Sequence, residues 1–319
     1  MDPQVAWDQP GGGIVVNLEL AWGRLRRWWL KSLRRTYVER MRQLRKGDRN
    51  GCPHEVLDPR DLKFFRSQGG YYWDRQDDPF AWRDRIPFAR AGLCELLVFS
   101  VLTFGPAKAL AAWALLGDLS TGTAVAVWLA VAALVVVGGL IVWFFRDPPR
   151  AIPGGPESIV SPADGKIVAI EEIEHDEFIG GPAVLIGIFL SIFNVHINRS
   201  PLAGRVVGIR YTRGKFLNAL RPESARENEQ LAVRMQASEA PHRPFVVRQI
   251  TGAIARRIVC WLKPGDELTR GEQFGMIKLG SRTELVLPRE AGLEIQVRIG
   301  DSVQAGSSVL GVYGAARGA

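Results

Sequence analysis

Residues 161–168 read SPADGKIV, and residues 200–207 read SPLAGRVV. In each stretch a Ser-Pro turn leads through a glycine into an apolar, β-branched run. A second echo lies downstream, where Gly265-Asp266-Glu267-Leu268 with Gly271 returns as Gly300-Asp301-Ser302-Val303 with Gly306. Glycine beside short polar residues marks tight turns, and the apolar positions that follow mark strands. Further β-branched runs surround these turns: Ile167–Ile170, Ala183–Phe189, Val206–Tyr211, Phe245–Ile250, Arg257–Trp261, Glu284–Leu287 and Glu294–Ile299. Short runs bounded by Gly and Pro predict a β-rich domain. The echoes are brief, so they speak more firmly for repeated turn chemistry than for duplication.

The G-D-x-V-x-x-G units resemble the hairpins of biotinyl and lipoyl carrier domains. The expected fold is a β-rich α+β protein. Its C-terminal domain is expected to be a barrel-sandwich-like set of interlocked β-hairpins, preceded by a two-helix membrane hairpin. The expected divisions are a basic N-terminal extension with an amphipathic helix (1–92), the membrane hairpin (93–146) and the β-domain (147–319).

The membrane expectation rests on residues 123–145, TAVAVWLAVAALVVVGGLIVWFF, which carry no charge. As a helix this run spans about 34 Å, enough to cross a hydrocarbon core. Residues 96–116 form a second apolar run, interrupted by Pro106 and Lys108. A pair of passes and a re-entrant hairpin both fit it. The outer flanks are basic, with Arg83, Arg85 and Arg90 before and Arg146 and Arg150 after. The Gly117–Ser120 link is not, so the positive-inside rule puts both ends in the cytoplasm. No secretory signal peptide is apparent. Leu18 to Lys46 mixes basic residues with Trp22, Leu25, Trp29 and Leu33 at helical spacing. That predicts a basic amphipathic helix on an anionic membrane.

The 319 residues carry a net charge of +8, much of it in residues 24–90. Such an excess suits nucleic acid or an anionic membrane. The adjacent apolar runs favour lipid, and no nucleic-acid partner is expected. Cys52, Cys94 and Cys260 give neither metal-ligand spacing nor a disulfide framework. Cys52 and His54 supply two potential ligands where zinc needs four, so no metal is expected. Residues 47–90 suggest no chemistry.

Three fragments raise Gly280-Ser281 above an ordinary turn. They are Ser161-Pro162-Ala163-Asp164-Gly165, Phe193-Asn194-Val195-His196-Ile197-Asn198-Arg199 and Leu279-Gly280-Ser281-Arg282. Together they resemble the shorter form of the phosphatidylserine decarboxylase family. That family has an Asp in S-P-x-D-G, a His in N-V-H and a G-S cleavage site near the C-terminus. Phe144-Phe145-Arg146-Asp147-Pro148 and the segment Tyr211 to Asn228 also resemble it, so the likeness runs in order over about residues 140–313.

The resemblance implies a self-cleaving proenzyme that turns phosphatidylserine into phosphatidylethanolamine and CO2. Its cofactor would be a pyruvoyl group made from Ser281 by cleavage after Gly280, leaving residues 1–280 and a small fragment that stay associated. Decarboxylation leaves electrons on the α-carbon, and a pyruvoyl Schiff base would accept them. Serine needs a base to become a nucleophile. His196 is the expected base, with Asp164 orienting its imidazole, and Asn228 and Glu229 are expected near the substrate. The substrate lies in an anionic membrane, so the domain is expected on the cytoplasmic face of the inner membrane. A homo-oligomer is compatible with this reading.

The chain departs from the family at Phe193, where longer bacterial members carry a second His, and at Gln230, where the family often has Arg. Rival readings are the same chemistry on another serine phospholipid of archaetidylserine type, a degenerate member, or a non-catalytic carrier or adaptor bearing its group on Lys278.

Overall fold

The computed structural model describes residues 14–47, 71–78, 81–155, 157–253, 257–278 and 280–314. Cys52, His54 and most of 47–90 therefore lie outside the described residues. Helices α1 (Ile14–Leu33) and α2 (Arg35–Leu44) open the described chain. The single helix expected over 18–46 is thus two, broken at Arg34, whose backbone leaves the helical region. Of the expected apolar face, Leu25, Trp29 and Leu33 are exposed and Trp22 is half-buried, while Trp28 adds a further exposed ring.

Two long helices follow, α3 (Leu93–Leu116) and α4 (Thr121–Phe144). Each is long and apolar enough to cross a membrane. Pro106 does not interrupt α3; a proline removes one backbone donor, a loss an apolar helix tolerates when neighbouring groups compensate. Ser120 caps α4, its hydroxyl accepting the Thr123 N–H at 3.4 Å. Gly138 of α4 faces Thr103 and Phe104 of α3, where a side chain would overlap both.

Among the described residues, the regular structure of the remaining chain is mostly strand. Lys46–Gly47 (β1) and Tyr71–Tyr72 (β2) pair near the N-terminus. The main domain holds β3 (Ser158–Val160), β4 (Gly165–Asp176), β5 (Gly181–Leu190), β6 (Ile197–Arg199), β7 (Gly204–Thr212), β8 (Gln230–Ala237), β9 (Pro244–Ile250) and β10 (Arg257–Cys260). It continues through β11 (Glu267–Leu268), β12 (Gln273–Lys278), β13 (Ser281–Pro288), β14 (Leu293–Ile295), β15 (Ser302–Val303) and β16 (Val309–Tyr313). An eight-stranded sheet runs β11-β7-β8-β9-β13-β5-β4-β15, flanked by three-stranded sheets β10-β12-β6 and β14-β16-β3. Ile186, Ile188, Val233, Phe245, Val247, Phe274 and Leu285 belong to its buried core.

The echoes dock on one another in matching fashion. Ile167 N donates to Asp301 O at 2.9 Å, and Gly300 N to Ile167 O at 2.8 Å. In the second unit Val206 N donates to Asp266 O, and Gly265 N to Val206 O, both at 2.8 Å. Gly306 N meets Ser161 O as Gly271 N meets Ser200 O. β15 thereby closes on β4, and β11 on β7, at the two edges of one sheet. The repetition therefore extends beyond turn chemistry to the backbone pairing of whole units.

The domain is tied to the end of α4. Ala89 N donates to Phe145 O at 2.7 Å, and Asp147 N to Pro87 O at 2.9 Å. Asp147 in turn accepts from Arg199 at 3.2 Å and from Gln273 at 2.8 Å.

Candidate active site

The chain crosses from the β10-β12-β6 sheet to the eight-stranded sheet between β12 and β13. Gly280 sits at that crossover with φ +60°. This is left-handed backbone that a residue with a Cβ adopts only under strain. Ser281 begins β13 opposite Leu190. Its side chain is fully buried, and among the described residues its Oγ has no hydrogen-bond partner. A buried unpaired hydroxyl costs free energy, and such exceptions in a folded chain mark strain or chemistry.

His196 reaches this crossover from the end of the 191–196 loop. Asn194 Oδ1 ties that loop by accepting from Ser191 N at 2.9 Å and Ser191 Oγ at 2.7 Å. β6 then pairs with β12, and Ile277 N donates to His196 O at 3.1 Å. The imidazole is therefore carried beside the strand that leads into Gly280. Its Nδ1 lies 2.9 Å from Asn194 O and its Nε2 accepts the Gly280 N–H at 3.2 Å. These partners assign a neutral ring with its proton on Nδ1.

Burial pushes the His196 pKa down to about 4. The Asn194 carbonyl opposes that shift, and the Arg146 charge adds to it. The Phe144 ring, at the end of α4, packs 4.6 Å from the imidazole. Phe144 itself belongs to a buried apolar cluster with Phe145, Val195, Val259 and Met276. The ring thus stays neutral in a dry setting at the foot of an apolar helix.

The Asp164 contacts differ from the expected relay. Both its oxygens accept from Arg150, at 2.9 and 2.8 Å, and one also accepts the Ala305 N–H at 2.8 Å. Among the described residues none of its hydrogen bonds goes to His196. The reason is local: Arg150 leaves α4 close behind Asp147 and captures the carboxylate in a buried pair, while a backbone carbonyl two residues away orients the imidazole.

Asn228 and Glu229, expected near the substrate, are engaged in hydrogen bonds within the chain. The Asn228 amide accepts from Leu217 N at 2.7 Å and donates to Leu217 O and Thr251 O, both at 2.8 Å. Glu229 accepts from the Tyr211 hydroxyl at 2.9 Å. Both are buried. Asn228 thus stitches the 213–219 loop to the Thr251-Gly252 turn. Gly252 lies against the Gly280 carbonyl oxygen so closely that a Cβ would overlap it.

Sequence reading missed Gly252, Arg150 and a polar triplet beneath the site. Asn198 Nδ2 donates to Thr283 Oγ1 at 3.0 Å, and Gln249 Nε2 donates to Asn198 Oδ1 at 2.9 Å. All three are fully buried. Asn198 sits two residues after His196 inside the Asn194-Val195-His196-Ile197-Asn198-Arg199 stretch, which was the available signal. Gln249 and Gly252 have no such mark, because only the pairing of β9 with β13 brings them to the site.

The comparisons agree with the geometry. The family model described as phosphatidylserine decarboxylase matches residues 137–311. A protein of Rhodopirellula baltica named phosphatidylserine decarboxylase proenzyme is 49% identical over 252 residues, covering 79% of this chain and 99% of its own length. Proteins with the same name from Desulfotalea psychrophila and Symbiobacterium thermophilum are 46% and 43% identical. They cover 53% and 62% of this chain and 77% and 92% of their own lengths. With a buried histidine bonded to the N–H of the glycine that precedes an orphaned serine, and with likeness over most of its length, this chain belongs to the phosphatidylserine decarboxylase family.

Proposed function

We propose that the chain is a membrane-seated proenzyme that cleaves itself after Gly280 and then decarboxylates phosphatidylserine to phosphatidylethanolamine. The observation that carries this reading is His196 Nε2 at 3.2 Å from the Gly280 N–H, beside the unpartnered Ser281 hydroxyl. A base on the Gly280 N–H, a buried serine hydroxyl and a left-handed glycine flank the peptide to be cut.

In the first step the Ser281 hydroxyl attacks the Gly280 carbonyl, and the peptide becomes an ester. His196 exchanges its contact with the Gly280 N–H for the hydroxyl proton, since a neutral Nε2 has one lone pair to offer. Loss of the Ser281 α-proton then expels the Gly280 carboxylate. The dehydroalanine left at 281 hydrolyses to pyruvoyl and releases ammonia. Gly252 leaves room behind the reacting carbonyl, and Asn228 holds the turn that provides this room. Asp164 acts as a framing residue that fixes Arg150 and the Ala305 backbone rather than as a relay.

The buried Ser281 position suits a pyruvoyl group: it is dry, and its oxygen is bound by no protein donor among the described residues. When formed, that group supplies a carbonyl that condenses with the substrate amine and takes up the electrons released with CO2. His196 Nε2 would take the proton that the substrate ammonium gives up on condensation and return it to the α-carbon after CO2 leaves.

The position of the site supports a lipid substrate. Phe144 ends an apolar helix and touches the catalytic imidazole, so helix insertion would hold the site at head-group depth. In this reading α3 and α4 cross the inner membrane and the β-domain (147–319) faces the cytoplasm, with α1 on the anionic surface. The carrier alternative loses its support, because Lys278 is buried and held by carboxylates rather than displayed at a hairpin tip. The test is intact mass of the full chain beside Ser281→Ala, with phosphatidylserine turnover followed on vesicles. The expected result is a split after Gly280, a pyruvoyl-blocked small fragment, and activity that the uncut variant lacks. A single unmodified chain without turnover would sink the reading.

A further inference from the structure

Lys278 ends β12, two residues before Gly280, and its register partner on β10 is Arg257. Two like charges directly opposed across a ladder repel one another. Both are buried, with Arg257 at 1% and Lys278 at 3% exposure. In that setting an uncompensated cation is costly enough to open the structure around it.

The compensation comes from outside the β-domain. Glu19 of α1 accepts from Lys278 Nζ at 2.7 Å and from Arg257 Nη2 at 2.9 Å and Nε at 3.1 Å. Glu95, in the first turn of α3, pairs with Lys278 from the other side. Among the described residues this brings together two cations and two carboxylates, their side chains at most 9% exposed. Burial alone would raise the Glu19 pKa, yet Arg257 and Lys278 bring it down to about 2. The carboxylate is therefore ionised at any working pH.

We infer that Glu19, Glu95, Lys278 and Arg257 form a positioning cluster by which the N-terminal helices hold the end of β12, and with it Gly280, in register with His196 for self-cleavage. This inference rests on the self-cleaving reading above and adds residues on α1 and α3 to it. The geometry gives the reason. Beyond Lys278 the chain has left the β10-β12-β6 ladder, and Ser281 has joined another sheet. An unbalanced charge at Lys278 would draw this end toward water and lengthen the Gly280 N–H contact to His196. Once the 280–281 bond is cut, the new end at 281 is no longer tied to β12. The cluster should then matter for maturation and little for turnover.

The experiment follows the appearance of the 1–280 and 281–319 fragments after synthesis of the full chain, in wild type, Glu19→Gln, Lys278→Gln and the double variant. Glu19→Gln leaves one extra cation and is expected to slow cleavage about tenfold or more. The double variant restores the balance and is expected to cleave within about threefold of wild type, because the penalty is the unpaired charge. Turnover per mature Glu19→Gln molecule is expected within about twofold of wild type. Glu19→Gln cleaving at the wild-type rate would overturn the inference. So would a double variant as slow as Glu19→Gln, since Glu19 would then act only by docking α1. A fall in turnover per mature molecule equal to the fall in cleavage would also overturn it. A wild-type chain that never splits would overturn the self-cleaving reading itself, and this inference with it.

Discussion

In the proposed reaction, His196 is a base that burial keeps ready to accept a proton. A histidine with an ordinary pKa of 6.5 would gain a proton in mildly acidic solution and stop accepting one. Here burial lowers the value to about 4. The rate of self-cleavage should therefore stay level from pH 8 to about 5.5 and fall only as pH nears 4. A fall centred on 6.5 in a pH series on newly made proenzyme would contradict this. The same shift has a stability consequence. The folded state excludes a proton that the unfolded chain binds below 6.5, so the contribution is whole above 6.5. It is lost as pH drops toward 4, by roughly 3 kcal/mol in total. Thermal unfolding of Ser281→Ala at pH 7 and 4.5 should show a larger loss than Ser281→Ala with His196→Gln. Gly252 sets a second residue-scale test. Gly252→Ala would press a methyl group on the Gly280 carbonyl, so cleavage should slow by about a hundredfold, on the scale of 3 kcal/mol of misplacement. Pulse labelling measures it, and cleavage at the normal rate would remove Gly252 from the site.

At the scale of elements, the proposed scissile bond joins two sheets rather than lying within one strand. After cleavage β12 keeps β10 and β6, while β13 keeps β5 and β9 on either side. The small fragment should therefore remain bound to the large one through native size-exclusion in detergent, and separate only in denaturant. Spontaneous release of 281–319 would contradict the central place of β13. The buried Arg150–Asp164 pair joins the end of α4 to the turn before β4. Removing one partner of such a pair costs about 3 kcal/mol or more. Asp164→Asn should thus lower the unfolding midpoint of the Ser281→Ala form by several degrees, and an unchanged midpoint would show the pair to be incidental. These elements also show what could be read from sequence. The β-branched runs at 183–189, 206–211 and 245–250 announced β5, β7 and β9, because alternation and turn glycines are local signals. β8 and β12 were missed: Gln230–Ala237 mixes charged and polar residues into its alternation, and Gln273–Lys278 is short. His196, Gly280 and Ser281 stood out through motif context. The Asp164–Arg150 pairing did not, because it depends on where α4 releases the chain, and no local pattern encodes that direction.

At the scale of the whole molecule, the site is built onto the end of an apolar helix and braced by a basic one. Phe144 touches His196, Ala89 and Asp147 bind the helix exit to the domain, and Glu19 reaches from α1 to β12. The exposed face of α1 presents Leu25, Trp28, Trp29 and Leu33 beside Arg24 and Arg27. Large apolar side chains left open next to cations suit the interface of an anionic bilayer, where aromatic rings lie at head-group depth and arginines meet phosphates. Such binding has two parts, apolar insertion and charge attraction, and only the second is screened by salt. Replacing the basic residues at 24, 27, 34 and 35 with Gln should lower turnover severalfold on vesicles rich in phosphatidylserine. On the same substrate dispersed in neutral detergent the loss should be small, because each micelle presents substrate without a charged plane. Raising salt should erase most of the difference between wild type and variant on vesicles. An equal loss in vesicles and detergent would place these arginines in the fold rather than at the bilayer, and would leave α3 and α4 as the features that bring the site to its lipid.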